Sequence, residues 1–221
     1  MESIWNAVDE YFNKRLALSD DALAAALADS TKAGLPAINV TPAQGKLLML
    51  LARMCHARRI LEVGTLGGYS AIWMGRALPA DGAMVTLEIN PVNAGVAQRN
   101  LERAGLTDRV EVLVAPATES LNRLIADRVQ PFDFVFIDAD KERSVEYFDA
   151  ALSLSHPGTV ILVDNVVREG AIIDAQSTDG MVQGMRRLIE HVARERRVSV
   201  TAIQTVGSKG YDGFILAVVT A

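Results

Sequence analysis

The sequence is poor in cysteine. Cys55 stands alone, which excludes an internal disulfide and any multi-cysteine metal centre, and its apolar helical surroundings point to a buried, inert thiol. Aromatic residues make up only 5% of a chain that is 50% hydrophobic, so the core has to be mainly aliphatic. Basic patches are missing as well. Lys and Arg number 22 against 27 Asp and Glu, for a net charge of −5, and this balance argues against a nucleic-acid partner, which needs a basic footprint. The one dense group, Arg194 to Arg197, is broken by Glu195 and reads as a solvated helix end. No apolar run approaches the about 18 residues of a bilayer span, and Met1-Glu2-Ser3 opens without the cationic and apolar segments of an export signal. These absences predict a cytoplasmic protein with no membrane partner, and 221 residues suit a single domain, 1–221.

What is present centres on Arg59-Ile60-Leu61-Glu62-Val63-Gly64-Thr65-Leu66-Gly67-Gly68-Tyr69-Ser70. An apolar run meets an acid, then glycines, then a helical pattern, the signature of a buried strand turning sharply into a helix. Glycines at that turn leave helix-start N–H groups free and let a ligand lie against the main chain. The spacing is Gly-x-x-Gly-Gly, not the Gly-x-Gly-x-x-Gly that a pyrophosphate requires. Glu62 would repel phosphates but could pair with a cationic amino group. Both features favour S-adenosylmethionine (SAM) over a nicotinamide dinucleotide.

Helical spacing runs from Ile4 to about Leu35, with Ser19-Asp20-Asp21 as a cap between two helices, and residues 1–40 form a helical extension that could serve as a lid. Thr41-Pro42 opens a further helix through Met54. Strand-like runs follow at 60–63, 84–89, 110–115, 132–137, 159–163, 198–205 and 214–220. Helical segments at 69–78, 91–104, 118–128, 141–154 and 179–196 separate the first six. That alternation predicts an α/β fold with a mostly parallel sheet covered on both faces. The last two strands, joined by a polar turn over 206–213, should form an antiparallel hairpin near one edge.

Ligands of open α/β sheets lie beyond the carboxyl ends of the strands, so strand-end residues carry the chemistry. Glu88 comes 24 positions after Gly64, near the spacing of about 20 at which an acid receives ribose hydroxyls. Asp138 and the Asp164-Asn165 pair end two apolar strands. Two carboxylates and an amide oxygen suit magnesium, or the similarly hard manganese and calcium ions, whereas zinc lacks its histidine or cysteine ligands here. Lys141, three positions after Asp138, is either close enough to act as a base or an exposed lysine at a helix start. Residues 166–170 read as a loop over an acceptor, with Arg168 either in contact with it or a surface arginine. A nicotinamide-dependent dehydrogenase and a non-catalytic SAM- or nucleotide-binding module remain alternatives at this point.

Glu62-x-Gly64-Thr65-x-x-Gly68-Tyr69-Ser70, Phe136-Ile137-Asp138-Ala139-Asp140-Lys141, Val163-Asp164-Asn165 and Gly210-Tyr211-Asp212-Gly213 together resemble the cation-dependent O-methyltransferases. This is the catechol and caffeoyl-coenzyme A O-methyltransferase family, in its small bacterial form. The resemblance implies a Rossmann-like class I SAM-dependent methyltransferase fold, with seven strands ordered 3-2-1-4-5-7-6, strand seven antiparallel and helices on both faces. It also implies a homodimer that methylates a hydroxyl of a catechol-like small molecule. By matching position it assigns metal ligation to Asp138, Asp164 and Asn165 and catalysis to Lys141. SAM contacts fall on Val40, Glu62, Gly64, Thr65, Ser70, Glu88, Ala117 and Asp140. Plant relatives usually carry aspartate where this chain has Glu88. The N-terminal helices and residues 166–181 match poorly, and in this family those parts shape the acceptor pocket.

Overall fold

The computed structural model describes residues 2–16 and 18–221; Met1 and Ala17, within the expected N-terminal extension, lie outside the described residues. The central apolar runs become strands because both of their sides are buried, whereas the edge strand over 198–207 is exposed along most of its length. In the run over 132–137, Phe134 and Phe136 pack with Ile60, Trp73 and Leu162, while Val135 and Ile137 pack with Leu61, Phe148 and Val163. Side chains alternate across a strand, so this central run serves two cores at once.

The strands are β1 (Arg59–Val63), β2 (Ala83–Glu88), β3 (Val110–Val114), β4 (Phe132–Ile137), β5 (Ser155–Asp164), β6 (Val198–Gly207) and β7 (Gly210–Val219). They form one sheet in the expected order β3-β2-β1-β4-β5-β7-β6, with β7 antiparallel to both β5 and β6. Eight α-helices surround it among the described residues: α1 (Glu2–Arg15), α2 (Asp21–Lys32), α3 (Pro42–Met54), α4 (Tyr69–Gly75), α5 (Pro91–Arg103), α6 (Ala117–Ala126), α7 (Ser144–Ser153) and α8 (Gly180–Val192). Helices α2 to α5 supply the core on one face and α6 to α8 the core on the other. No described helix is long and apolar enough to cross a membrane.

Local chemistry sets the helix starts. Asp20 caps α2 through the N–H groups of Ala22 and Leu23, and Thr41 caps α3 through Gln44 N–H, with Pro42 at the first helical position. Helix α1 buries no side chain; Asp9 ties it to the sheet by accepting the Ser208 N–H at 2.8 Å.

Several boundaries differ from the sequence expectation; α4 ends at Gly75 and α8 at Val192, short of 78 and 196, and three further differences concern the sheet and the site. The polar stretch 206–213 is strand except for Ser208 and Lys209, because Thr205 pairs with Asp212 and Val206 with Tyr211 on an edge where polar side chains face water. The segment 141–154 divides into a 3₁₀ turn, Lys141–Arg143, and α7. Strand β5 begins at Ser155, four residues early, where Phe132 pairs with it across an irregular register.

The fully buried Phe136 joins β4 to the α3–α4 layer directly beneath the carboxyl ends of the strands. Phe136→Ala is expected to cost about 3–5 kcal/mol in urea unfolding. A loss below about 1 kcal/mol, the scale of a surface change, would contradict this packing.

Candidate active site

A cavity of about 930 Å³ opens beyond the carboxyl ends of the strands. The β1–α4 turn forms its floor. Gly64 has φ +105°, and a Cβ there would strike the Asp138 carbonyl; Gly68 has φ +81° and starts α4. Only glycine lets the main chain pass so close to β4 in that conformation. Of the residues singled out in the sequence, Val40, Gly64, Thr65, Ser70, Glu88, Ala117, Asp138, Asp140, Lys141 and Asn165 line this space. Glu62 and Asp164 do not; they stand behind the wall.

Glu62 is 0% exposed. Strand alternation points it toward α4, where Ser70 Oγ donates to Oε1 at 2.5 Å and Thr86 Oγ1 donates to Oε2 at 2.6 Å. Both Glu62 oxygens are thus occupied by protein hydroxyls, and the carboxylate does not reach the cavity where the amino group expected from sequence would lie. Burial pushes the Glu62 carboxyl up to about 8, opposed by the two hydroxyls and reinforced by the negative charges of Asp138 and Glu88. Glu88 is nearly buried and already fixed. Leu66 N–H donates to Oε2 and Asn90 N–H to Oε1, each at 2.8 Å.

The β4–β5 register pairs Ile137 with Val163, so Asp138 and Asp164 follow side by side. Lys141 Nζ donates to Asp138 Oδ1 at 2.7 Å and the residue is only 6% exposed, which excludes a solvated helix-start lysine. Asp164, 4% exposed, accepts the Asn165 N–H at 2.9 Å and the Gln44 Nε2–H at 2.7 Å. Burial, then the neighbouring Asp138 charge, raises its carboxyl to about 7, with Lys141 opposing. Two carboxylates pressed together and an adjoining amide oxygen are a donor set that a hard divalent cation relieves. Asp140 accepts the Tyr147 hydroxyl proton, and burial together with that carboxylate raises the Tyr147 phenol.

Sequence reasoning missed Gln44, Thr86 and Tyr147. Thr86 interrupts an apolar strand, and that polar break was a usable signal. Gln44 lies 120 positions from Asp164 and gave none. The role of Asp212 was also missed. Its Oδ1 accepts the N–H groups of Val167 at 2.9 Å, Arg168 at 3.1 Å and Gly213 at 2.9 Å, pinning the loop after β5 over the cavity.

The chain matches the family model described as O-methyltransferase over residues 17–218. It is 50% identical over 216 residues to a catechol O-methyltransferase of Niastella koreensis, covering 98% of each. An O-methyltransferase from Bacillus cereus, solved in complex with SAH, has a TM-score of 0.98 at 54% identity over 100% of both chains. The O-methyltransferase TomG from Streptomyces achromogenes, involved in tomaymycin synthesis and solved with SAM, has a TM-score of 0.97 at 49% identity, covering 100% of this chain and 99% of that one.

The Glu62 geometry sets a pH dependence. Its folded-state pKa of about 8 lies above the ordinary 4.5, so across that interval the folded chain keeps a proton that the unfolded chain releases. The stability it contributes is whole below pH 4.5, falls as pH rises, and is gone above about 8. Urea unfolding of the ligand-free protein should show wild type losing stability relative to Glu62→Gln over this range. A difference that stays flat with pH would remove the buried, proton-holding Glu62 from the account.

Proposed function

The chain belongs to the O-methyltransferase family and is a SAM-dependent O-methyltransferase, and from that premise we propose that it methylates one hydroxyl of a catechol-like acceptor with a divalent cation as cofactor. The observation that carries this reading is the pair of in-register carboxylates, Asp138 and Asp164, beside a buried lysine at the cavity wall. The Niastella relative, a catechol O-methyltransferase by name, supports the same acceptor class.

Asp138, Asp164 and Asn165 would hold the ion, and their all-oxygen donors fit magnesium, manganese or calcium. When bound, the cation supplies Lewis-acid charge that makes an acceptor hydroxyl more acidic, and SAM supplies a methyl group activated on a sulfonium. The other tasks fall to the chain's own residues. Gly64 and Thr65 let the adenosyl portion lie against the main chain. Glu88, with both oxygens oriented by backbone N–H groups, retains lone pairs for two ribose hydroxyls. Ser70 donates its proton to Glu62 and so turns its own lone pairs toward a ligand ammonium. Val40 and Ala117 add apolar contact that excludes water, and Asp140, held by Tyr147, completes the cofactor wall.

Lys141, in its free-amine form, receives the proton from the acceptor hydroxyl and becomes the ammonium that pairs with Asp138. Its Nζ sits 2.7 Å from Asp138, where an acceptor oriented by the same cluster would present that hydroxyl. Holding oxygen and methyl group in line supplies several kcal/mol more, since well-oriented intramolecular reactions recover up to about 7–11 kcal/mol of their barrier.

Purified protein incubated with catechol, SAM and magnesium should form a monomethyl ether, and excess chelator should stop the reaction. Undiminished turnover in chelator would defeat the cation role. Lys141→Ala should lower kcat by about 10²–10⁴-fold, the range of general acid–base catalysis, with SAM affinity near that of wild type. An unchanged kcat would take Lys141 out of the proton transfer.

A further inference from the structure

We propose that Arg168 selects acceptors that carry a carboxylate, pairing with it while the hydroxyls face Lys141; this rests on the catechol-like reading of the same site. Arg168 lines the cavity together with Asn165 and Met181, beyond the carboxylate pair. Among the described residues no carboxylate lies within 4 Å of its guanidinium. Its Nε is buried without a hydrogen-bond partner, and among the described residues the one side-chain hydrogen bond of its tip is Nη2 to Met181 Sδ at 3.6 Å, a weak acceptor. Lys141, by contrast, is already committed to Asp138. Arg143, the other arginine on the wall, is an exposed residue of the turn beside Asp140. A planar, permanently charged fork with free donors in a partly enclosed space is suited to bidentate recognition of a carboxylate.

The arginine is also held in place before any acceptor arrives. Arg168, Glu169 and Gly170 have φ of 56°, 56° and 88°, a left-handed run that two non-glycine residues adopt only under constraint. Asp212 supplies that constraint by accepting the Val167 and Arg168 N–H groups, and Arg186 Nη1 donates to Ile172 O at 2.6 Å on the far side of the loop. Ordering of the loop is thus complete in advance, which leaves more of the ion-pair energy for discrimination.

The test compares 3,4-dihydroxybenzoate with unsubstituted catechol in protein loaded with SAH and magnesium, by calorimetric affinity, and in turnover with SAM. Arg168→Met keeps the stem length and the same backbone demand while removing the charge. The affinity ratio of dihydroxybenzoate to catechol should fall by about tenfold to a hundredfold, the range for a hydrogen bond to a charged group. Arg168→Lys should retain a larger part of the preference than Arg168→Met. In wild type the preference should weaken as salt is raised. A ratio unchanged by Arg168→Met, or a wild type with no preference for the acid, overturns the assignment. Binding is read without methyl transfer, so failure of both compounds to turn over would defeat the catechol reading while the affinity ratio still judges Arg168.

Discussion

Ile137 pairs with Val163 in the parallel ladder between β4 and β5, and the next residue on each strand is an aspartate. The site depends on that register. A slip of one residue would turn every side chain of one strand to the opposite face, burying a carboxylate among Val135, Phe148 and Met185 and exposing apolar groups. The two cores that fix the register therefore also fix the distance between two like charges. Burial first, and the Asp138 charge second, raise the Asp164 carboxyl, and the packing of Phe134, Phe136 and Leu162 beneath holds the pair in place. Gln44 and Lys141 each satisfy one carboxylate with a hydrogen bond.

One face of the sheet carries the polar groups of the site. Glu62, Thr86, Glu88 and Asp164 share the strand parity of Ile60, Met84 and Leu162, which pack toward α3 and α4. Hydroxyls and amides from those helices then meet them: Ser70 on Glu62 and Gln44 on Asp164. The helix layer is thus both a hydrophobic cover and the source of the donors that keep buried acids tolerable. On the other side of the cavity, Asp212 of β7 pins the loop that carries Arg168. The sheet's one antiparallel strand thereby reaches the end of the cavity lined by Arg168 and Met181.

Much of this was legible in the sequence. Apolar runs ending in acids and alternating with helical periods gave the strand order's ingredients, and the glycines after Val63 marked the ligand turn, because both patterns are local. Asp138, Asp164 and Asn165 could be grouped because strand ends converge in a parallel sheet. The direction of Glu62 could not be read with the same ease. Every residue of β1 from Ile60 to Val63 is buried, and only the position of Ser70 on α4 shows that its carboxylate is covered. Gln44 was silent because one glutamine in an amphipathic helix carries no spacing signal. The hairpin turn was misplaced because Tyr211 and Asp212 are polar, yet they pair in the ladder while Asp212 reaches across to the loop. Arg168 was visible only as a charge. Its lack of an acidic partner is a tertiary fact.

The central claim is that oxygens from β4 and β5 converge on one divalent ion, and Mn²⁺ titration followed by electron paramagnetic resonance tests it directly. The account predicts one bound ion per chain, lost in Asp138→Ala and in Asp164→Ala but retained in Lys141→Ala. Absence of binding in the native chain, or an ion that persists when both aspartates are removed, would contradict it.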